Sequence, residues 1–118
     1  MARLNNNLDK IQLILNNCIN KQNFTIKLNS SKSRYIVSIK NLYKGVNPSN
    51  DTDLRNNINK IIESKQFCSI GGWMDTETNI YFIDANLHID NLSFALIAAT
   101  TNKQKAIFDT LTNKVIIL

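Results

Sequence analysis

In two stretches of the chain, apolar residues recur at steps of three and four positions, the spacing of a buried helical stripe. The first stripe consists of Leu4, Leu8, Ile11, Leu15 and Cys18, widened by Leu13 and Ile14. The second consists of Leu54, Ile58, Ile61 and Ile62, in a helix that ends at about Ser64 and is capped by Asp51 or Thr52. A third, short helix is predicted by the apolar run NLSFALIAATTNK, for which Asp90 is the expected N-cap.

Alternating apolar and polar residues predict six strands, because successive side chains of a strand point to opposite faces of a sheet. The strands come in pairs across short polar turns: NFTIKLN with RYIVSIKNLY, QFCSIGGWM with IYFIDANLHI, and KAIFD with KVIIL. Each pair is expected to form a hairpin. Hairpins that follow helices indicate an α+β fold, an antiparallel sheet built from hairpins alternating with three short helices, in a single domain over residues 1–118.

Two glycines precede a tryptophan inside the third strand, at Gly71, Gly72 and Trp73. They are not a phosphate-binding loop, which needs a longer glycine-rich turn ending in Lys-Ser or Lys-Thr at the start of a helix. Glycine within a strand marks a bulge or the close approach of another backbone or a ligand. A bulge here is expected to let Trp73 reach the opposing strand at Tyr81 or Ile83.

The composition limits the class of binding partner, the cofactors and the cellular compartment that are expected. The net charge of +5 favours an anionic partner (nucleic acid, nucleotide or acidic protein), unless the lysines are simply solvated. Cys18 and Cys68 are expected to be buried reduced thiols, and with a single histidine they cannot make a metal site, so no metal or other cofactor is expected. The absence of an apolar run near 20 residues and of a signal sequence indicates a cytoplasmic protein without membrane contact.

Catalytic motifs are absent from the sequence. His88 is the only histidine, and Asp84 and Asp90 are its only acidic neighbours in the chain, which leaves a base–carboxylate pair open but unsupported. Paired carboxylates, Ser–His–Asp spacing and nucleotide-fold glycine patterns are all missing. The sequence therefore favours binding over catalysis, with no catalytic residue and no enzymatic activity expected.

A binding surface is expected around the fourth strand, where Phe82 and Asp84 point away from Tyr81 and Ile83. If helices cover one of these faces, the other is free, and Phe82 can stack on a base; otherwise Phe82 is a core residue. Amides and cations would contact the rest of the ligand. The candidate ligand-binding residues are Phe82, Asn86, Asn91, Arg55, Lys103 and Lys105.

The block GGWMD…IYFIDANLHIDNLSFALIAATTNKQKAIFD, within residues 69–109, resembles the phage Thoeris anti-defence proteins, which sequester cyclic ADP-ribose-type signals. The resemblance covers about the last half of the chain. It implies an oligomeric protein, a dimer or larger, that holds the nucleotide between two protomers. The base would contact an aromatic ring and an arginine, for which Phe82, Arg55 and Asn91 are the candidates, while Lys105 or Lys103 would replace an expected arginine at the phosphates.

The resulting expectation is a phage or prophage protein in the host cytoplasm that sequesters a small cyclic nucleotide signal without degrading it. One alternative is a direct protein inhibitor of a bacterial defence system, of the anti-CRISPR kind. Another is a small nucleic-acid-binding accessory protein. Scattered lysines without a basic run argue against a dedicated DNA binder, so nucleic acid is not the expected partner.

Overall fold

The computed structural model describes residues 6–118, with side chains from residue 8 onward, and this part of the chain contains three α-helices, a short 3-10 helix (Pro48–Asn50) and six strands. The helices are α1 (Asn6–Ile19), α2 (Leu54–Ser64) and α3 (Leu92–Thr101). The strands are β1 (Phe24–Lys27), β2 (Tyr35–Gly45), β3 (Ser69–Asp75), β4 (Ile80–Ile89), β5 (Ala106–Asp109) and β6 (Lys114–Ile117). The predicted α+β class is confirmed.

The six strands form one antiparallel sheet in the order β1-β3-β4-β2-β5-β6. The predicted hairpins β3–β4 and β5–β6 are present. The predicted β1–β2 hairpin is wrong, because the β3–β4 hairpin inserts between the two strands: Phe24 of β1 lies opposite Gly72, and β2 lies between β4 and β5. Local alternation identifies strands but not this non-local pairing.

All three helices pack on the same face of the sheet, called here the helix face. Directly opposed residues of antiparallel strands share a face, so the pairing of β4 with its neighbours extends this face across the sheet. Under α1 and α2 it contributes Ile70, Tyr81, Ile83 and Ala85 to a first buried cluster. Under α3 it contributes Tyr35, Val37 and Ile107 to a second cluster, together with Ala95 and Ala99 of the helix.

The buried stripe of α1 differs from the expected one. Ile11, Ile14 and Cys18 are buried, whereas Leu8 is 48% exposed. At 3.6 residues per turn, Leu8 lies about 90° around the helix from the centre of that stripe, which explains its exposure. Leu4 lies outside the described residues. The other predicted apolar stripe is confirmed, since Leu54, Ile58, Ile61 and Ile62 of α2 are all buried.

Two predicted helix caps are wrong. Asn91, not Asp90, caps α3, because its side-chain oxygen accepts a hydrogen bond from the backbone N–H of Phe94 at 3.0 Å. Asp90 instead accepts from the backbone N–H of Arg34 at 3.0 Å. At α2 the cap position is Asp53, which makes no side-chain cap bond, and Asp51 accepts a hydrogen bond from the Asp53 N–H within the preceding turn. Asp and Asn side chains can both accept hydrogen bonds from nearby backbone N–H groups. The sequence alone therefore does not show which of two adjacent residues is the helix N-cap.

A bidentate ion pair joins the end of β5 to the residue before β2. The Arg34 guanidinium donates to both carboxylate oxygens of Asp109 at 2.8 and 2.7 Å, and Asp109 is 3% exposed. Thr110 adds two hydrogen bonds to the Arg34 carbonyl, from its backbone N–H at 3.0 Å and its hydroxyl at 2.7 Å. The closing aspartate of the KAIFD segment is therefore structural: it holds the last hairpin against the rest of the sheet.

Candidate functional site

The sheet face opposite the helices, called here the open face, is not covered by any of the described helices. Alternation along β4 places Phe82, Asp84, Asn86 and His88 on it, because Tyr81, Ile83 and Ala85 lie on the helix face. Strand register adds residues from the neighbouring strands to the same face: Thr25, Lys27, Ser69, Gly71, Trp73, Ile36, Ser38, Asn41 and Lys44.

An aromatic pair stands at one end of the open face. Trp73 lies directly opposite Phe82 in the β3–β4 register, and their rings stack with centroids 4.8 Å apart and planes 12° apart. The Lys44 ammonium lies 5.8 Å from the centre of the Phe82 ring. Trp73 is 48% exposed and Phe82 is half-buried, and neither belongs to a buried cluster. The pair presents a π-surface and a cation to solvent.

The expected contact of Trp73 with Tyr81 or Ile83 is wrong. Those residues lie on the helix face, and a cross-strand partner must share the face of the residue it contacts. The bulge expected at the glycines is also wrong, since β3 pairs with both neighbours without a register shift there.

Gly71 and Gly72 are instead required by the close approach of neighbouring groups. A Cβ at Gly72 would collide with the Phe24 ring and with the Tyr81 hydroxyl. A Cβ at Gly71 would lie 3.2 Å from the Asn86 side-chain nitrogen and 3.3 Å from the Phe24 carbonyl oxygen. Thus Gly72 leaves room for the Phe24 and Tyr81 side chains on the helix face. Gly71 leaves a position without a side chain on the open face, between Trp73 and the polar groups described next.

A buried polar group occupies the middle of the open face. Ser69 Oγ lies 2.8 Å from His88 Nε2 and accepts a hydrogen bond from the Asn86 amide at 3.0 Å. Burial, aided by the positive charge of Lys27, lowers the pKa of His88, which keeps its imidazole neutral. Ser69 and His88 are the two partners of a nucleophile–base pair, but Ser69 is 0% exposed and therefore out of reach of a substrate.

Sequence reasoning missed the contact between Ser69 and His88. Its signal lies in the hairpin register: a turn that pairs Asp75 with Ile80 also pairs Ser69 with Asn86, two positions from His88 on the same face. The same register pairs Trp73 with Phe82, so the position of the turn was also sufficient to predict the aromatic pair.

Asp84 links this polar group to the edge of β2. Its carboxylate accepts a hydrogen bond from the Asn41 amide at 2.9 Å, and the Ser38 hydroxyl lies 3.4 Å from its other oxygen. Ser38 also lies 3.2 Å from the Asn86 side-chain oxygen, and its single proton can serve only one of the two. Burial raises the pKa of Asp84, against the opposing effect of the Asn41 and Ser38 hydrogen bonds. Because, among the described residues, only the Asn41 and Ser38 side chains donate to this carboxylate, part of its acceptor capacity is unused.

The structure does not bring the six predicted ligand-binding residues together. Phe82 and Asn86 share the open face, but Asn86 is 4% exposed and its amide is bonded to Ser69. Asn91 uses its side chain to cap α3. Arg55 is exposed in the first turn of α2, on the helix side of the sheet. The expected convergence failed because it depends on where the helices pack, which the local pattern does not state.

The two predicted phosphate contacts lie in the link between α3 and β5. Lys103 and Lys105 are both exposed, and Lys103 has a left-handed backbone conformation with φ of 57°. The pKa of Asp75 is lowered mainly by the Thr78 hydroxyl, and the charge of Lys105 adds a smaller effect. Because Asp75 ends the strand that carries Trp73, Lys105 is within electrostatic range of that end of the sheet.

Within residues 6–118, no three His, Cys, Asp or Glu side chains are grouped so that they could hold a metal ion. Cys18 is buried, and burial raises the pKa of its thiol to about 12, so it stays protonated and unreactive. Cys68 is half-buried and free.

Comparison with known proteins returned no relative: no family model, no curated protein and no solved structure matches the chain. None of the helices in the described part of the chain has the length and apolar character to cross a membrane. The geometry of the open face is therefore the basis for a functional proposal.

Proposed function

We propose that the protein binds a small anionic nucleotide at the aromatic end of its open face. The observation that carries this proposal is the Trp73–Phe82 stack on a sheet face free of described helices, with the Lys44 ammonium beside it. Aromatic side chains on open strands bind bases by stacking, and a nearby cation attracts phosphate. Asp84 adds a carboxylate that can accept hydrogen bonds from the N–H groups of a base.

The ligand is expected to be held and released unchanged. Among the described residues, the nucleophile–base pair found on this face contains a fully buried serine, and the net charge of +5 favours an anionic ligand. With the resemblance to Thoeris anti-defence proteins, this gives the biological proposal: a phage protein that sequesters a cyclic nucleotide immune signal in the host cytoplasm.

A second copy of the chain is the proposed partner. Apolar side chains are exposed at α3 and β6: Phe94 is 65%, Ile97 62% and Ile117 75% exposed. In the described residues β6 pairs only with β5, so its outer edge can pair antiparallel with the same edge of a second copy.

Titration calorimetry with cyclic and linear nucleotides tests the binding proposal. Trp73→Ala is expected to weaken binding about ten- to a hundredfold, since stacking of one base contributes ~1–3 kcal/mol. Leu13→Ala, at a similarly exposed apolar residue of α1, is the matched control and should leave affinity unchanged. Equal affinity of the Trp73→Ala variant, or no binding of any nucleotide, would contradict the proposal. Chromatography of the ligand released after denaturation should recover it intact.

A nucleic-acid ligand is the second candidate, because Lys27 and Lys44 share the open face with the aromatic pair. Single-stranded oligonucleotides would then bind more tightly than mononucleotides, and affinity would fall steeply with salt. A mononucleotide that binds as tightly as an oligonucleotide would exclude this alternative.

A further inference from the structure

A second candidate site lies away from the open face, in a crevice between β2 and α2. Its volume is about 140 Å³. Residues from both elements line it: Lys40, Asn41 and Leu42 from β2, and Asn57, Lys60 and Ile61 from α2.

The crevice arises from irregular pairing of β2. Its register with β4 shifts twice, between Ser38 and Lys40 and between Asn41 and Tyr43. On its other side, β5 pairs only with Tyr35 and Ile36, so in the described part of the chain the rest of that edge has no strand partner. Leu42 packs against the buried cluster that includes Ile61 of α2, and the crevice lies beside this contact.

The lining is basic. Lys40 and Lys60 both line the crevice, and no aspartate or glutamate of the described part of the chain does. Among residues 8–118 neither lysine forms an ion pair, the single pair being that of Arg34 with Asp109. Two like charges beside one small crevice repel each other, and an anion between them would remove that repulsion.

The two asparagine side chains of the crevice, Asn41 and Asn57, differ in their hydrogen bonding. The Asn41 side-chain nitrogen is already bonded to Asp84 and to the Tyr43 carbonyl, at 2.9 Å each, so Asn41 shapes the crevice and links it to the open face. The Asn57 side chain makes no hydrogen bond within the described part of the chain and is available as a donor.

We propose that this crevice binds a single phosphate-type oxyanion through Lys40, Lys60 and Asn57. A water molecule occupies about 30 Å³ of liquid, so the volume corresponds to a few waters, enough for one tetrahedral oxyanion but not for a whole nucleotide. The site is independent of the nucleotide proposal: it stands if the open face binds nothing.

The test is a ¹H–¹⁵N NMR titration of the whole chain with sodium phosphate, against sodium chloride at matched ionic strength. The Asn57 side-chain amide and the Lys60 backbone amide should shift saturably with phosphate and not with chloride. The double variant Lys40→Gln/Lys60→Gln should weaken this binding at least tenfold. The double variant Lys32→Gln/Lys114→Gln, at two exposed lysines elsewhere, should bind as the parent does. All four substitutions are at exposed positions, and an unchanged melting temperature verifies folding.

A parallel titration with a nucleoside monophosphate distinguishes the source of the phosphate. Equal affinity for phosphate and monophosphate supports a site for the free anion, and tighter binding of the monophosphate that is lost in Lys40→Gln/Lys60→Gln supports a phosphate ester. Absence of saturable shifts at these amides with either ligand, or identical shifts in the Lys40→Gln/Lys60→Gln variant, overturns the proposal.

Discussion

The helix face of the sheet is mostly apolar and the open face mostly polar, although β4 contributes to both. On the helix face, Ile83 and Ala85 are fully buried, and the hydroxyl of the buried Tyr81 donates to the Gln22 carbonyl at 2.6 Å. On the open face, Asp84 and Asn86 bond to neighbouring side chains within the sheet. Consecutive residues of β4 therefore differ in role: Tyr81 and Ile83 stabilise the core, whereas Phe82 and Asp84 are only half-buried on the open face.

The largest expected effect comes from truncating two consecutive residues of β4, one on the helix face and one on the open face. Ile83→Ala should lower the free energy of unfolding by about 2–5 kcal/mol, because it leaves a cavity beneath the helices. Phe82→Ala, one residue earlier on the open face, should cost about 1 kcal/mol, the order of an aromatic pair contribution. Urea denaturation of both variants measures the difference. Equal losses would mean that Phe82 is a core residue and that the open face is not free.

A smaller effect is expected at the paired glycines. Gly72→Ala forces a methyl group against Phe24 and Tyr81 on the helix face and should destabilise by about 1–3 kcal/mol. Gly71→Ala meets the Asn86 amide on the open face at a tighter than usual but not impossible distance, and should cost less. Thermal unfolding ranks the two variants, and the reverse order would contradict the assignment of the two glycines to opposite faces.

Acid titration should separate two carboxylates by the sign of their effect on stability. The Arg34 guanidinium lowers the pKa of Asp109, so that carboxylate stabilises the fold above its unfolded pKa of about 4 and loses this effect as pH falls toward the lowered value. Burial raises the pKa of Asp84, so its contribution is present below about pH 4 and is lost as pH rises through the raised value.

Two isosteric variants measure these opposite slopes. Asp109→Asn should remove the acid-induced loss of stability that Asp109 causes. Asp84→Asn should remove a loss that appears on the alkaline side of pH 4. Stability measured by denaturation across about pH 3–6 tests both, within the range around the carboxylate pKa values. Slopes unchanged from the parent would show that these carboxylates are not the groups that titrate.

The sequence pattern predicted those features of the fold that depend on residues close together in the chain. The four buried residues of α2 and the full extent of β4 followed from strong periodicity. The partner of β1 did not, because it depends on a contact with β3 more than 40 residues away, as the pairing of Phe24 with Gly72 shows.

For the candidate site, too, the sequence predicted the local features but not the contacts between distant segments. Alternation placed Phe82 on the face opposite Tyr81, and strand register alone would have added Trp73. The roles expected for Asn86 and Arg55 depend on hydrogen bonding within the sheet and on the side to which α2 packs. Neither is encoded in local spacing, so the grouping of these residues could not be inferred.

The ion pair between Arg34 and Asp109 joins positions 75 residues apart, and this separation bears on the order in which the chain folds. The β3–β4 hairpin closes over a short turn and can form early, whereas β5 can dock only after the whole intervening chain is arranged, at a larger cost in loop-closure entropy. We expect the C-terminal hairpin to be the last unit to assemble and the first to open. In hydrogen exchange, the amides of β5 and β6 should therefore exchange earlier than those of β4.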